Sequence, residues 1–176
     1  MFQQGAWSRE FWAVLLLAYE LGLPGYFEFL KYVAAWFFPA HRPRVHKIMS
    51  KEHFDACKEA GYFKCQASQG LALYGVACKF FNDVLLPKAV EQNIETVTLP
   101  IRSYVKLCDV VDLLSLSKAG VASDPNQLDH AISDWAAANQ EAYGTSQWYF
   151  KNHATTHLPD LLRGHKDDAK DRKPFL

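Results

Sequence analysis

The stretch ASQGLALYGVACKFFNDVLL, residues 67–86, decides the fold, because its apolar side chains recur at the spacing of an α-helix. Val76 and Phe80 make a second face apolar, which is typical of a central, buried helix. We expect Gly70 and Gly75 to permit close approach of a neighbouring helix, and Pro87 to bend or restart the helix before its end near Asn93. The predicted core face consists of Leu71, Tyr74, Ala77, Cys78, Phe81, Val84 and Leu85.

Helical signals continue on both sides of this stretch, and they predict an all-α fold, an irregular bundle of about six to seven helices. Ile94–Leu99 is β-branched and isolated, so we expect an extended connector there. Residues 1–162 are predicted to form one helical domain, and the polar residues 163–176 a flexible tail. The predicted flanking helices are 9–21 with Ser8 as N-cap, about 25–38, Ser50 to Gly61, Thr98 to Gly120, and Asp124 to Gly144.

Composition favours a protein with a large aromatic core, since 49% of the 176 residues are hydrophobic and 14% are aromatic. The formal net charge of zero excludes a surface that is basic throughout, as a protein wholly devoted to nucleic acid or membrane would have. The apolar stretch 11–38 is interrupted by Glu20, Glu28 and Lys31, with Pro24-Gly25 in its middle. A buried helical hairpin over 8–38 is therefore predicted, with interfacial membrane docking as the alternative.

Four cysteines occur, none in a Cys-x-x-Cys pair, which favours buried reduced thiols over a disulfide framework. His53 and Cys57 lie four residues apart, flanked by His46 and Cys65. A zinc site could be drawn through these four, but their spacing matches no zinc-finger pattern. Cys57 is therefore expected to face the core.

A basic segment runs from Arg42 to Lys51 and also contains Arg44 and Lys47, with no acidic residue among them. Clustered basic side chains without acids are suited to contacts with phosphate groups. DNA is therefore one candidate partner and another protein chain is the second, whereas the interrupted apolar stretch argues against a membrane.

Asp109 and Asp112 lie three residues apart on one predicted helix. Paired carboxylates can hold a divalent metal or transfer a proton. The alternative is a solvated stripe in which Lys106 pairs with Asp109 one turn away. No metal or cofactor is assigned to this pair.

His153 and His157 share a helical face in WYFKNHATTHLPDLL, residues 148–162, which Pro159 ends or kinks. A zinc site would need a third ligand, and His165 is the one nearby candidate. We therefore predict that this helix docks by Trp148, Phe150 and Leu158, and that its histidines serve packing. The role of Lys151 in the same motif is open.

Three segments resemble transposase-like proteins of eukaryotic mobile elements: LCDVVDLL from Leu107, DPNQLDHAI from Asp124, and KNHATTHLPDLL from Lys151. The block SQGL at 68–71 resembles the Ser-x-Gly-Leu helix of the same family, so the resemblance covers about residues 60–162. It implies a helical region of the kind that follows a ribonuclease-H-like core. The match assigns no catalytic acid, and it does not allow Asp109 and Asp112 to be given the role of the family's metal-coordinating acids.

The resemblance implies a non-catalytic helical domain, derived from or truncated out of such a transposase, that acts in nucleic-acid or protein association. Two alternatives stay open. One is a stand-alone helical protein-interaction module, and the other is a metal-dependent enzyme using Asp109 and Asp112.

Overall fold

The computed structural model describes residues 5–38, 45–119, 124–144 and 158–159. Within these ranges the chain is all-α, as predicted, and no strand occurs. Helices α5 and α6 make the most extensive helix–helix contact, and α1 packs against α2, α4 and α5. The six described helices are α1 Ala6–Glu20, α2 Tyr26–Ala35, α3 Lys51–Ala60, α4 Ala67–Phe80 continuing through Phe81–Leu85 and Leu86–Glu91, α5 Thr98–Lys118, and α6 Pro125–Tyr143.

The central helix α4 changes its winding just before Pro87. Proline has no N–H and its ring clashes with the carbonyl four residues earlier. Over Phe81–Leu85 the helix widens into a π-helical turn, in which the Leu86 N–H bonds to the Phe81 carbonyl. The predicted bend at Pro87 therefore takes the form of a change of pitch upstream of the proline.

The buried face of α4 is only partly the predicted one. Phe81, Leu85 and Ala77 are buried as expected, but Tyr74 and Cys78 are half-buried. Tyr74 lies at the edge because its hydroxyl donates to Asp112 of α5 at 2.7 Å. The expectation of a close approach at Gly75 is wrong, since a Cβ there would meet nothing within 4 Å. The buried positions of α4 are Gly70, Leu73, Val76, Ala77, Phe80, Phe81, Leu85 and Ala89.

In the predicted N-terminal hairpin, the closest approach to Gly25 is made by the last turn of α1. A Cβ on Gly25 would lie 2.8 Å from both the Cβ and the backbone nitrogen of Tyr19, so no larger residue fits. Gly22 supplies the left-handed conformation after α1, with φ of 72°. The apolar stretch is thus divided between α1 and α2, and none of the described helices combines the length and apolar character that crossing a membrane requires.

Capping side chains and glycines with positive φ set the ends of α3 and α6. Ser50 caps α3 by accepting the His53 N–H at 3.1 Å, and Asp124 caps α6 by accepting the Asn126 N–H at 3.0 Å. Gly61 and Gly144 follow those two helices with positive φ.

Two local predictions are wrong. Ser8 does not cap α1, which begins at Ala6, and the buried Ser8 hydroxyl instead donates to the Gly5 carbonyl at 3.0 Å. The connector before α5 is not extended, because Glu95–Val97 forms a 3₁₀ turn that buries Val97.

The core is built from aromatic rings gathered around Phe11 of α1. The Phe11 ring centroid lies 4.9 Å from that of Trp7, 4.8 Å from Phe63 and 5.9 Å from Phe81. Tyr104 of α5 closes the group, and its hydroxyl accepts the Trp7 indole N–H at 2.8 Å. Edge-to-face and offset rings of this kind contribute beyond their buried area.

We predict that Phe81→Ala lowers the free energy of unfolding by about 3–5 kcal/mol, because it leaves a cavity among Phe11, Phe80 and Tyr104. Urea denaturation gives the value. Val90→Ala on the same helix is the control, since Val90 is 68% exposed and its truncation should cost less than about 0.5 kcal/mol. Equal losses in the two variants would remove Phe81 from the core.

Candidate functional site

One buried carboxylate joins three helices. Glu10 of α1 is 4% exposed, and its Oε2 accepts the Ser103 hydroxyl of α5 at 2.7 Å. Its Oε1 accepts the Trp135 indole N–H at 2.7 Å and the Asn139 amide N–H at 2.9 Å, both from α6. The carboxylate thus receives three hydrogen bonds from residues more than 90 positions away.

Helical spacing explains how these donors converge. Trp135 and Asn139 are four residues apart and so project from one face of α6. Glu10 shares the face of α1 that carries the buried residues Trp7 and Val14, three before it and four after it. Sequence reasoning missed this group, and its one local signal is an acid set within an otherwise apolar helical face.

Burial dominates the electrostatics of Glu10. Loss of hydration raises its pKa to about 7, although the hydrogen bonds from Ser103, Trp135 and Asn139 favour the charged form and lower the pKa. The carboxyl therefore changes charge near neutral pH instead of in the acid range.

A cavity of about 340 Å³ lies beside Glu10, between α1, the end of α3 and the end of α6. Three of its lining residues bear a buried polar atom with no hydrogen-bond partner in the described part of the chain: the Trp12 indole nitrogen, the Asn139 carbonyl oxygen and the Tyr143 hydroxyl. Arg9 and Lys58 also line the cavity. Unpaired buried polar atoms are uncommon, so the three residues that bear them mark this part of the described structure as unusual.

The basic segment predicted to bind phosphate is described only from Val45 onward, so Arg42 and Arg44 lie outside the described residues. Lys47 is exposed at the end of a 3₁₀ turn, and Lys51 is exposed at the first position of α3. Two exposed aromatic residues precede the segment, Trp36 at 36% and Phe37 at 89% exposure.

Asp109 and Asp112 lie on the exposed surface of α5, each with a described neighbour. Lys106 Nζ lies 4.0 Å from the Asp109 carboxylate, the ion pair that the sequence suggested, and 3.4 Å from Asp134 of α6. Asp112 accepts the Tyr74 hydroxyl. Partial burial raises the pKa of Asp109, and Lys106 opposes that shift. Asp134, from the facing helix, was not foreseen.

His53 and Cys57 do come together, but with hydrogen-bonding partners of their own. The His53 Nε2–H donates to the Lys64 carbonyl at 2.6 Å, so Nδ1 accepts the Tyr26 hydroxyl at 2.7 Å. Cys57 is buried, as expected, and its sulfur accepts the Lys64 N–H at 3.2 Å. In the described ranges no group of three or more His, Cys, Asp and Glu side chains is arranged to hold a metal. All four cysteines, each of which is described, are free thiols.

The histidine-rich motif falls outside the described residues, and this includes Lys151, His153, His157, Trp148 and Phe150. Two positions at its end are described. Leu158 is half-buried against the hydrophobic core, in agreement with the predicted docking, and Pro159 is buried.

Comparison of the whole chain with protein-family models, with curated proteins and with solved structures found no match. The candidate sites are therefore defined by their own geometry. The cavity beside Glu10 is lined by buried and charged residues, three of which bear polar atoms without a partner in the described chain, whereas the segment around Lys47 and Lys51 combines exposed charge with exposed aromatic rings.

We predict that Glu10 makes the protein less stable as the pH rises from about 4.5 to about 7. Its folded-state pKa lies above the unfolded value, so the folded state holds more protons in this window and the free energy of unfolding falls with rising pH. The expected loss is on the order of 3 kcal/mol, complete by about pH 7. Urea denaturation across this range measures it.

Glu10→Gln should abolish this component, because a carboxamide does not titrate in this pH range. The fold should be kept, since the amide oxygen can still accept from Trp135 and Asn139 while the amide N–H donates to Ser103. Glu91→Gln, at an exposed ion pair with Lys88, is the control and should keep the wild-type pH profile. If Glu10→Gln and wild type show the same dependence on pH, the carboxyl is not the titrating group.

Proposed function

We propose that this chain is a non-catalytic helical module, derived from a transposase-like protein of a mobile element, that associates with nucleic acid. The contact surface is the aromatic–basic segment, defined by Trp36, Phe37, Arg42, Arg44, Lys47 and Lys51. The observation that carries the proposal is the 89% exposure of Phe37, five positions before Arg42, the first of a run of basic residues.

Aromatic and basic side chains make different contacts with single-stranded nucleic acid. Lysine and arginine neutralise phosphates and release counterions, while exposed rings stack on unpaired bases. Lys47 and Lys51 flank Ser50 at the start of α3, and both are exposed. Glu52 lies in the first turn of α3 beside Lys51, so the lysine side chains, and not the helix end, are the expected phosphate contacts.

The non-catalytic part of the proposal is supported by the neighbours of the paired acids. Asp112 accepts a hydrogen bond from Tyr74, and Lys106 lies close to Asp109 and Asp134. The Lys106 ammonium offsets part of the negative charge with which these acids would attract a divalent metal ion. The derivation from a transposase is supported by the resemblance of the motifs at Leu107, Asp124 and Lys151.

Association with a protein is the second candidate, and the same exposed aromatic pair favours it. Trp36 and Phe37 project large apolar surfaces, and residues of this type anchor protein interfaces. Such a complex would depend on Phe37 but little on salt, which separates it from a nucleic-acid complex.

We predict that Arg42→Ala/Arg44→Ala/Lys47→Ala weakens binding to a single-stranded oligonucleotide and flattens the dependence of log K on log salt by about 0.7 for each phosphate that is no longer neutralised. Fluorescence anisotropy over a salt series gives both quantities. The control is Lys79→Ala/Lys88→Ala/Arg102→Ala, which removes the same charge from exposed ion pairs elsewhere.

Phe37→Ala should weaken binding to the single strand by about 5- to 100-fold, with an unchanged salt slope, because it removes a stacking platform and no charge. Duplex of the same sequence should respond less, since its bases are already stacked. A salt slope that is the same in wild type and in the basic triple variant would contradict the nucleic-acid proposal.

A further inference from the structure

We propose that Cys78 of α4 and Cys108 of α5 form an oxidation site for peroxides, in which peroxide oxidises Cys78 and Cys108 then joins it in a disulfide that links the two helices. The substrate class is a small hydroperoxide such as hydrogen peroxide, and a dithiol reductant reverses the reaction. The site shares no residue with the aromatic–basic segment, so the proposal goes beyond nucleic-acid association and does not depend on it.

The two thiols are neighbours between α4 and α5. The Cys108 S–H donates to the Tyr74 carbonyl oxygen at 3.8 Å, and Tyr74 precedes Cys78 by one turn of α4. The same S–H is also within hydrogen-bonding reach of the Cys78 sulfur. A disulfide therefore requires that two adjacent sulfur atoms close to their bonding distance of about 2 Å.

Other contacts between the same helices hold the pair in place. The Tyr74 hydroxyl donates at 2.7 Å to Asp112, which lies one turn after Cys108 on α5. The Tyr104 hydroxyl, one turn before Cys108, donates to the Tyr74 carbonyl oxygen at 3.2 Å. These hydrogen bonds bracket Cys108 on both sides, so the native fold itself sets which thiol lies beside Cys78.

The surroundings of the two thiols assign them different roles. Cys78 is half-buried, and its sulfur accepts the side-chain amide of the exposed Asn82 at 3.6 Å, whereas Cys108 is 4% exposed. The hydrogen bond from Cys108 lowers the pKa of Cys78, against burial and nearby carboxylates, and the same hydrogen bond together with burial raises the pKa of Cys108. Because the thiolate is the nucleophile, Cys78 attacks the peroxide and Cys108 resolves the product.

The reaction balances with the peroxide as its only oxidant. The Cys78 thiolate attacks one oxygen of hydrogen peroxide, the O–O bond breaks, and the departing hydroxide takes up a proton and leaves as water, so that Cys78 becomes a sulfenic acid. The Cys108 sulfur then attacks the Cys78 sulfur, the S–O bond breaks, and the hydroxide leaves as water with the Cys108 proton. The two sulfurs together lose two electrons, which the peroxide gains.

The test treats the full, reduced chain with one equivalent of hydrogen peroxide and follows it by intact mass and by peptide mapping without reduction. We expect wild type to lose about 2 Da, to contain a Cys78–Cys108 disulfide within one chain, and to regain its mass with dithiothreitol. The urea midpoint should rise on oxidation, because the bond closes a loop of about 30 residues in the unfolded chain. Oxidation in denaturing urea should not favour this pair, since the native fold brings it together.

Three substitutions separate the two roles. In Cys108→Ser the serine hydroxyl can still donate to the Tyr74 carbonyl oxygen, and the sulfenic acid at Cys78 should persist and be trapped by dimedone. In Cys78→Ser, peroxide should oxidise the remaining thiols about tenfold or more slowly. Cys65→Ser is the control. Cys65 is also half-buried, but burial raises its pKa to about 12, so this variant should form the disulfide as wild type does.

Four outcomes overturn the proposal. Wild type that keeps its mass, or that gains oxygen at Cys78 without forming the disulfide, would show that Cys108 does not resolve the oxidised thiol. A main product that joins Cys57 to Cys65, or that joins two chains, would make a different pair the reactive one. Equal dimedone labelling of Cys65 and Cys78 in Cys108→Ser would show that the surroundings of Cys78 confer no reactivity. A urea midpoint that falls on oxidation would mean that the bond distorts the contact between α4 and α5.

Discussion

The buried carboxylate of Glu10 is the constraint that the rest of the fold has to satisfy. An ionised carboxylate can only accept hydrogen bonds, and an unpaired buried charge costs several kcal/mol. Ser103, Trp135 and Asn139 supply the donors, so α5 and α6 must meet α1 in one register. Apolar packing of the rings around Phe11 is compatible with several helix arrangements. Three hydrogen bonds to one carboxylate can form in only a few of these arrangements. Aromatic burial thus supplies the stability, and Glu10 fixes which helix faces meet.

Two of the residues in this network, Glu10 and Asn139, also line the cavity. Asn139 turns its amide nitrogen toward Glu10 and leaves its carbonyl oxygen unpaired, within the described chain, beside Trp12 and Tyr143. Helix α3 runs from the aromatic–basic segment to the cavity. Lys51 at its start belongs to the aromatic–basic segment and Lys58 near its end lines the cavity, seven residues or about 10 Å apart along the axis.

The sequence predicted most features whose physical cause is local, with Ser8 and the Glu95–Val97 turn as the exceptions. Ser50 and Asp124 as caps, and Gly61 and Gly144 as stops, are set by hydrogen bonds and dihedral angles within a few residues, and each was foreseen. It failed where the cause is distant. Tyr74 was assigned to the core, but a partner on α5 holds it at the edge. The donors to Glu10 lie more than 90 residues away, and neither they nor the cavity beside them leave a pattern in α1 beyond one acid on an apolar face.

The central claim is that Glu10 is a desolvated carboxyl held by three donors, and a direct titration tests it. The carboxyl carbon of Glu10 in ¹³C-labelled protein, assigned by its absence in Glu10→Gln, can be followed by NMR as the pH is varied. The account predicts a midpoint near pH 7, far above the ordinary value of 4.5. A midpoint close to 4.5 would contradict the claim that loss of hydration outweighs the three hydrogen bonds in setting the pKa of Glu10.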